Sequence, residues 1–307
     1  MMIKSVSIRI FKLIIIILSF WFIGEKFWEH LDWLKNSALN IKLLIVVFIS
    51  SIIYGLSEFV LSFAWRRLLI WCGHQNISSK ICNAIYGKSQ IAKYIPGNVF
   101  HVVSRHILGK QAGIKHFVLA GATVYEILGL ISMSVIIGFS GMVIFGLGNI
   151  YFSIFQMTQI LLIIILLSGL VPVVVPYLLR LKGISLPYKK LLDSFRCISL
   201  VYLSYFIFFF IAGLLLVSIV SIFLNINLII CAKIIAIFSI AWLAGFIIPG
   251  APGGIGVREA VIIFFISPII GEPQSIAVSI ALRIVTLLGD VWFFVISEKT
   301  TNFKQIN

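Results

Sequence analysis

Charge is scarce in this sequence. Only 11% of the 307 residues are charged, against about 25% in soluble domains, and no polar segment is long enough to build a soluble core. Cysteine is sparse too: Cys72, Cys82, Cys197 and Cys231 form no C-x-x-C pair and lie in or near apolar stretches. That pattern supports neither a disulfide framework nor a metal site, and reads as ordinary buried thiols. The five histidines include no H-E-x-x-H, so no metal and no cofactor is expected. A G-x-x-x-x-G-K-[ST] loop is missing, which leaves a gradient or mass action to drive any transport. No Asp-x-Asp occurs either, and no catalytic acid–base pair can be named.

Apolar residues are what the sequence has. They make up 61% of it, and the mean hydropathy is +1.15. The expected class is an all-α polytopic integral membrane protein, a single transmembrane domain over 1–307. Runs near 8–24, 41–65, 117–147, 158–179, 199–223, 228–248, 256–271 and 276–296 predict about eight helices, the first and seventh short against the ~20 residues a crossing needs. At the start, Lys4, Arg9 and Lys12 lead into an apolar run with no small-residue cleavage site before Trp21, Phe22, Phe27 and Trp28. This reads as a retained signal anchor.

The basic residues set the orientation. With the N-terminus inside, 19 of the 24 Lys and Arg fall on inside segments, the asymmetry of the positive-inside rule. Both termini are therefore expected in the cytoplasm. The net charge of +14 is explained by this placement and by attraction to anionic lipid, not by nucleic acid.

Two segments interrupt the apolar pattern. The first, within 66–115, reads as amphipathic helix, break, helix, the break being Lys93-Tyr94-Ile95-Pro96-Gly97-Asn98. The second is Ile248-Pro249-Gly250-Ala251-Pro252-Gly253-Gly254-Ile255-Gly256-Val257-Arg258-Glu259-Ala260. Proline stops a helix, and glycine permits backbone angles that other residues resist. In each segment an Arg follows the first proline by nine residues, Arg105 after Pro96 and Arg258 after Pro249. The match suggests half-repeats at about 41–179 and 199–296, parallel if both breaks face inside, inverted if a further crossing lies between them. Paired broken helices point to a transporter site, re-entrant where they line a cavity; a tight cytoplasmic turn is the plain alternative.

Charges within the spans form stripes. Ser51, Gly55, Glu58 and Ser62 share one helical face, as do Ala122, Glu126, Gly129 and Met133, and Ser279, Arg283, Thr286 and Asp290. Such faces must turn inward, because a charge in lipid costs about 2.5–3.5 kcal/mol even on insertion scales. Arg283 and Asp290 stand about 10 Å apart along the axis and are expected to pair with other helices. The stripes serve either as ion pairs holding a bundle or as the lining of a polar path. Arg105 and Arg258 suit an anionic headgroup best, since Arg offers bidentate phosphate geometry and helix N-termini attract anions. Tyr94 and His101 could line the same mouth, and Glu58, Glu126 and Glu259 are the available acids.

Taken together, Lys93 to Val99, Arg105, Glu126, Pro249 to Ala260 and Arg283 resemble the flippase-like transmembrane family, the membrane region shared with bacterial lysylphosphatidylglycerol synthases. The resemblance covers most of the chain. The P-G-G-x-G-x-R-E element is its most specific part. It implies movement of a lipid between leaflets of the bacterial cytoplasmic membrane, with a phospholipid or a polyprenyl-phosphate-linked sugar as cargo, in cell-envelope pathways. It does not imply aminoacyl transfer, which in the synthases belongs to a soluble C-terminal domain. This chain ends about ten residues after its last apolar run. A membrane-embedded transferase acting on a lipid phosphate and a non-transporting envelope assembly subunit stay open, as do homo-oligomers.

Overall fold

A computed structural model describes residues 41–74, 77–94, 100–145, 189–248 and 252–299. Among the described residues the chain is helical, without strands. We label the helices α1 (Ile41–Trp71), α2 (Ser79–Ala92), α3 (Phe100–Gln111), α4 (His116–Phe145), α5 (Lys189–Val220), α6 (Leu228–Ile247), α7 (Val257–Ile270) and α8 (Glu272–Lys299), with a short 3-10 turn at Pro252–Gly254.

Among the described residues, five stretches are long and apolar enough to cross a membrane: Ile41–Trp71, His116–Gly141, Phe195–Val220, Leu228–Ile247 and Glu272–Lys299. The protein is a multi-pass helical membrane protein. The expected crossings at 8–24 and 158–179, and the signal anchor, lie outside the described residues. The expected crossing at 256–271 needs correction. It is α7, with 14 residues, about 21 Å of helix against a hydrocarbon core of about 30 Å. Glycines bracket it: Gly256 and Gly271 both have positive φ, 89° and 93°. Hydropathy alone extends the run through these two positions, whereas the helix ends at them.

The 66–115 segment folds as its polarity suggests. α1 runs on through Arg66 and Arg67 to Trp71. Ser78 then starts α2 by accepting a hydrogen bond from the Ile81 N–H at 3.2 Å. The Ala92 end of α2 and the Phe100 start of α3 flank the expected break, whose Pro96 and Gly97 lie outside the described residues. α2 packs on α1 and α8 and α3 packs on α2 and α4, so both helices are built into the bundle.

The helices are apolar outside and polar within. On α1, Ser51, Glu58 and Ser62 are buried while Leu44, Ile45, Phe48, Ile49 and Leu56 are exposed. That is the reverse of a water-soluble helix, and it suits lipid outside and paired polar groups inside. The other two stripes are buried as well, apart from the half-buried Arg283. One apolar core joins residues of all these helices except α3, which packs against it through Leu108.

The central crossing is α1 against α8. A Cβ on Gly55 would lie 2.7 Å from the Gly289 carbonyl oxygen, and one on Gly289 would lie 3.0 Å from the Ser51 oxygen. Backbone therefore meets backbone, the close approach that small residues permit in membranes. Gly289→Val should lower the unfolding midpoint in detergent, with a cost of about 1–3 kcal/mol for overpacking, and Gly289→Ala should cost less. A midpoint equal to wild type for the valine variant would contradict the crossing.

Candidate functional site

The site starts on α2. Tyr86, Gln90 and Lys93 recur at i, i+4 and i+7, which places them along one face. Tyr86 and Gln90 are buried. Gln90 Nε2 donates to Glu58 Oε2 of α1 at 2.5 Å, and Lys93 Nζ meets Asp290 Oδ1 of α8 at 2.8 Å. The Tyr94 hydroxyl donates to the other Asp290 oxygen, so Asp290, wholly buried, has both oxygens satisfied. Lys93 and Tyr94, the two described residues of the first break, are thus tied to the last helix.

On the next helix, Arg105 reaches back into the bundle. Its Nη1 lies 2.6 and 2.5 Å from the two Glu126 oxygens of α4. Its Nε donates to Ser89 Oγ at 3.1 Å, and its guanidinium lies 3.8 Å from the Tyr86 ring centroid. Tyr86 Oη donates to Glu126 at 2.7 Å. Arg105 is 5% exposed and already neutralised, so it has little charge left for a ligand. His101 lies beside it in α3, outside the five spanning helices. Partial burial, then Arg105 and Lys93, lower its pKa to about 3, which leaves the ring neutral.

The second break supplies the opposite wall. Gly253 and Gly254 have φ of 57° and 75°, angles at which a Cβ is strained. The turn is fixed from two sides. Arg283 Nη1 of α8 donates to the Gly253 carbonyl at 3.0 Å, and Arg283 Nε lies 3.7 Å from Glu259. Glu259 in turn accepts from the Gly256 N–H at 2.6 Å, which caps the N-terminus of α7. Glu259 and Arg283 therefore hold the turn, and both are engaged.

Arg258, half-buried, differs from the other cations of the cluster. Among the described residues it has no acidic partner and no hydrogen bond, and its Nε is buried without a partner. Its stem fills a slot made by two glycines: a Cβ on Gly245 would lie 2.6 Å from Arg258 Cγ, and one on Gly254 2.8 Å from Nε. The Trp242 ring lies below its guanidinium at 5.9 Å. Such a contact contributes only about 0.5–2 kcal/mol, less than a full counter-ion.

These walls enclose one cavity of about 80 Å³, lined by Glu58, Lys93, Arg105, Glu126 and Arg258 among others. At about 10–15 Å³ of such space per water, it has room for several waters or a small polar group. A smaller cavity of about 20 Å³ lies between α6, α7 and α8, where Ser279, Arg283 and Thr286 meet Glu259, and Arg258 lines this one too. No protein-family model matches the chain, and no curated protein matches it.

The structure thus brings Tyr94, Arg105, Glu126, Gly253, Gly254, Arg258, Glu259, Arg283 and Asp290 into one connected cluster. Gly256 joins it through Glu259. Pro249 and Gly250 lie outside the described residues, and Pro252 opens the 3-10 turn. The nine-residue offset places both arginines on the same cavity, yet in different states, one paired and one free. Sequence reasoning passed over Gln90, Tyr86 and Trp242. The only signal for the first two was their shared face with Lys93, and an isolated Trp gives none. Among the described residues no three His, Cys, Asp or Glu side chains cluster as a metal site.

Proposed function

We propose that the protein moves an anionic lipid, a phospholipid or a polyprenyl-phosphate-linked sugar, between the leaflets of the bacterial cytoplasmic membrane. The observation that carries this reading is Arg258, a cation without an acidic partner on an internal cavity. An uncompensated charge in a membrane interior is costly and is functional by default. A phosphate diester is a natural counter-ion, because the guanidinium fork matches two phosphate oxygens. The resemblance noted in the sequence agrees, and the glycine turn at Gly253 and Gly254 supplies irregular backbone beside a cavity, where such backbone is tolerated at membrane depth.

The test is reconstitution. Purified protein in vesicles carrying tail-labelled phosphatidylglycerol should expose inner-leaflet label to an external quencher faster than protein-free vesicles do. Parallel vesicles with a labelled polyprenyl phosphate separate the two cargo classes. Rates equal to empty vesicles for both lipids would overturn the proposal. Turnover of a sugar donor by the same preparation would favour the transferase instead.

A further inference from the structure

The charges around the cavity match in pairs until two groups are left. Arg105 takes Glu126, Lys93 takes Asp290 and Arg283 takes Glu259. What remains is Arg258 and Glu58, and both line the same cavity. Glu58 is 1% exposed. Its one hydrogen bond comes from a neutral amide, Gln90, and among the described residues it has no ion pair. Among the described residues it is the one deeply buried carboxylate of the cluster without a cation.

The groups that line the cavity with Glu58 are these. Tyr54 lies on its own helix; α2 brings Tyr86, Gln90 and Lys93; α3 brings His101 and Arg105. Glu126 comes from α4 and Arg258 from α7, while α5 and α6 contribute Phe208 and Trp242, which do not titrate. Asp290 of α8 holds Lys93. Every charged member except Arg258 is committed to a partner. With the cavity empty, an ionised Glu58 balances Arg258. Once an anion sits on Arg258, that balance is lost and the enclosed charge becomes negative. Adding a proton to Glu58 restores neutrality, whereas leaving it ionised buries an uncompensated charge.

We infer that Glu58 is a proton site linked to cargo binding: the anionic headgroup on Arg258 and a proton on Glu58 enter the cavity together. This deepens the lipid-path reading and rests on it. Linkage is reciprocal, so the anion binds more tightly at low pH, and anion binding takes up a proton. The protonated carboxyl keeps the Gln90 contact by rotating the amide, since carboxyl and amide can each donate and accept. The cargo then moves as an electroneutral pair.

The experiment is titration calorimetry on the full chain in detergent, with dihexanoyl phosphatidylglycerol as probe. A phosphodiester keeps one negative charge throughout the range, so its own titration does not interfere. Affinity should rise toward acid by up to about tenfold per pH unit, the limit for one linked proton. Proton uptake, read from buffers of different ionisation enthalpy, should approach one per lipid. Glu58→Gln, which mimics the protonated acid, should bind at every pH as wild type binds in acid, with no proton uptake. Binding by wild type without proton uptake, or proton uptake that survives in Glu58→Gln, overturns the proton site and leaves the lipid path standing. Failure of wild type to bind at any pH overturns both. Dimethyl phosphate is the parallel arm: binding as tight as that of the lipid would reassign the cargo to a free phosphate ester and overturn the lipid path, with the proton linkage judged by the same uptake.

Discussion

Replacing Glu126 with alanine should lower stability by about 3–5 kcal/mol, the usual cost of leaving a buried charge without its partner. Arg105 is the charge in question. It is buried, its Nη1 lies within 2.6 Å of both Glu126 oxygens, and Ser89 is its other hydrogen-bond partner. The loss also removes the acceptor of the Tyr86 hydroxyl, so two polar groups are stranded by one substitution. The check is equilibrium unfolding in mixed micelles with a denaturing detergent. The double variant Arg105→Met, Glu126→Leu should recover most of the loss, because removing both charges removes the stranded one. A double variant no more stable than Glu126→Ala alone would contradict this account and put the cost on packing.

Much of this site was legible in the sequence because lipid makes polar residues informative. Glu58, Glu126 and Asp290 stand in long apolar runs, and their spacing with small residues fixed which face turned inward. Their burial follows from the cost of exposing them. The pairing was not legible. Arg105 and Arg258 sit at equal offsets from their prolines, and nothing local separates them. Arg105 is neutralised because α4 brings Glu126 beside it, while α6 offers Arg258 two glycines and a tryptophan. Those are contacts between helices far apart in the chain. The shortness of α7 was legible, since the run at 256–271 already fell short of a crossing and the helix is Val257–Ile270, but the cause of its ends was not. Hydropathy counts apolar side chains and is blind to the backbone angles of Gly256 and Gly271, which end the helix at both sides.

Arg258→Gln separates stability from function, and the separation is the sharpest consequence of an unpaired cation. Among the described residues no carboxylate is within ion-pair distance of Arg258, so its removal strands no paired group. The loss of stem packing against Gly245, Gly254 and Trp242 should cost no more than about 1 kcal/mol, within the common range for single substitutions. Lipid movement should instead fall steeply. Losing one member of a desolvated, hydrogen-bonded charge pair costs about 2–5 kcal/mol, which is about thirtyfold or more in affinity for the anionic headgroup. Arg258→Lys should recover only part of the rate, since an ammonium is a point charge where the guanidinium is a fork. The measurement is the vesicle quenching rate for labelled phosphatidylglycerol, set beside the unfolding midpoint of the same preparation. A rate unchanged in Arg258→Gln with a normal midpoint would remove Arg258 from the lipid path. If instead rate and midpoint collapsed together, Arg258 would be a structural residue with a partner of its own, contrary to its unpaired state in the bundle.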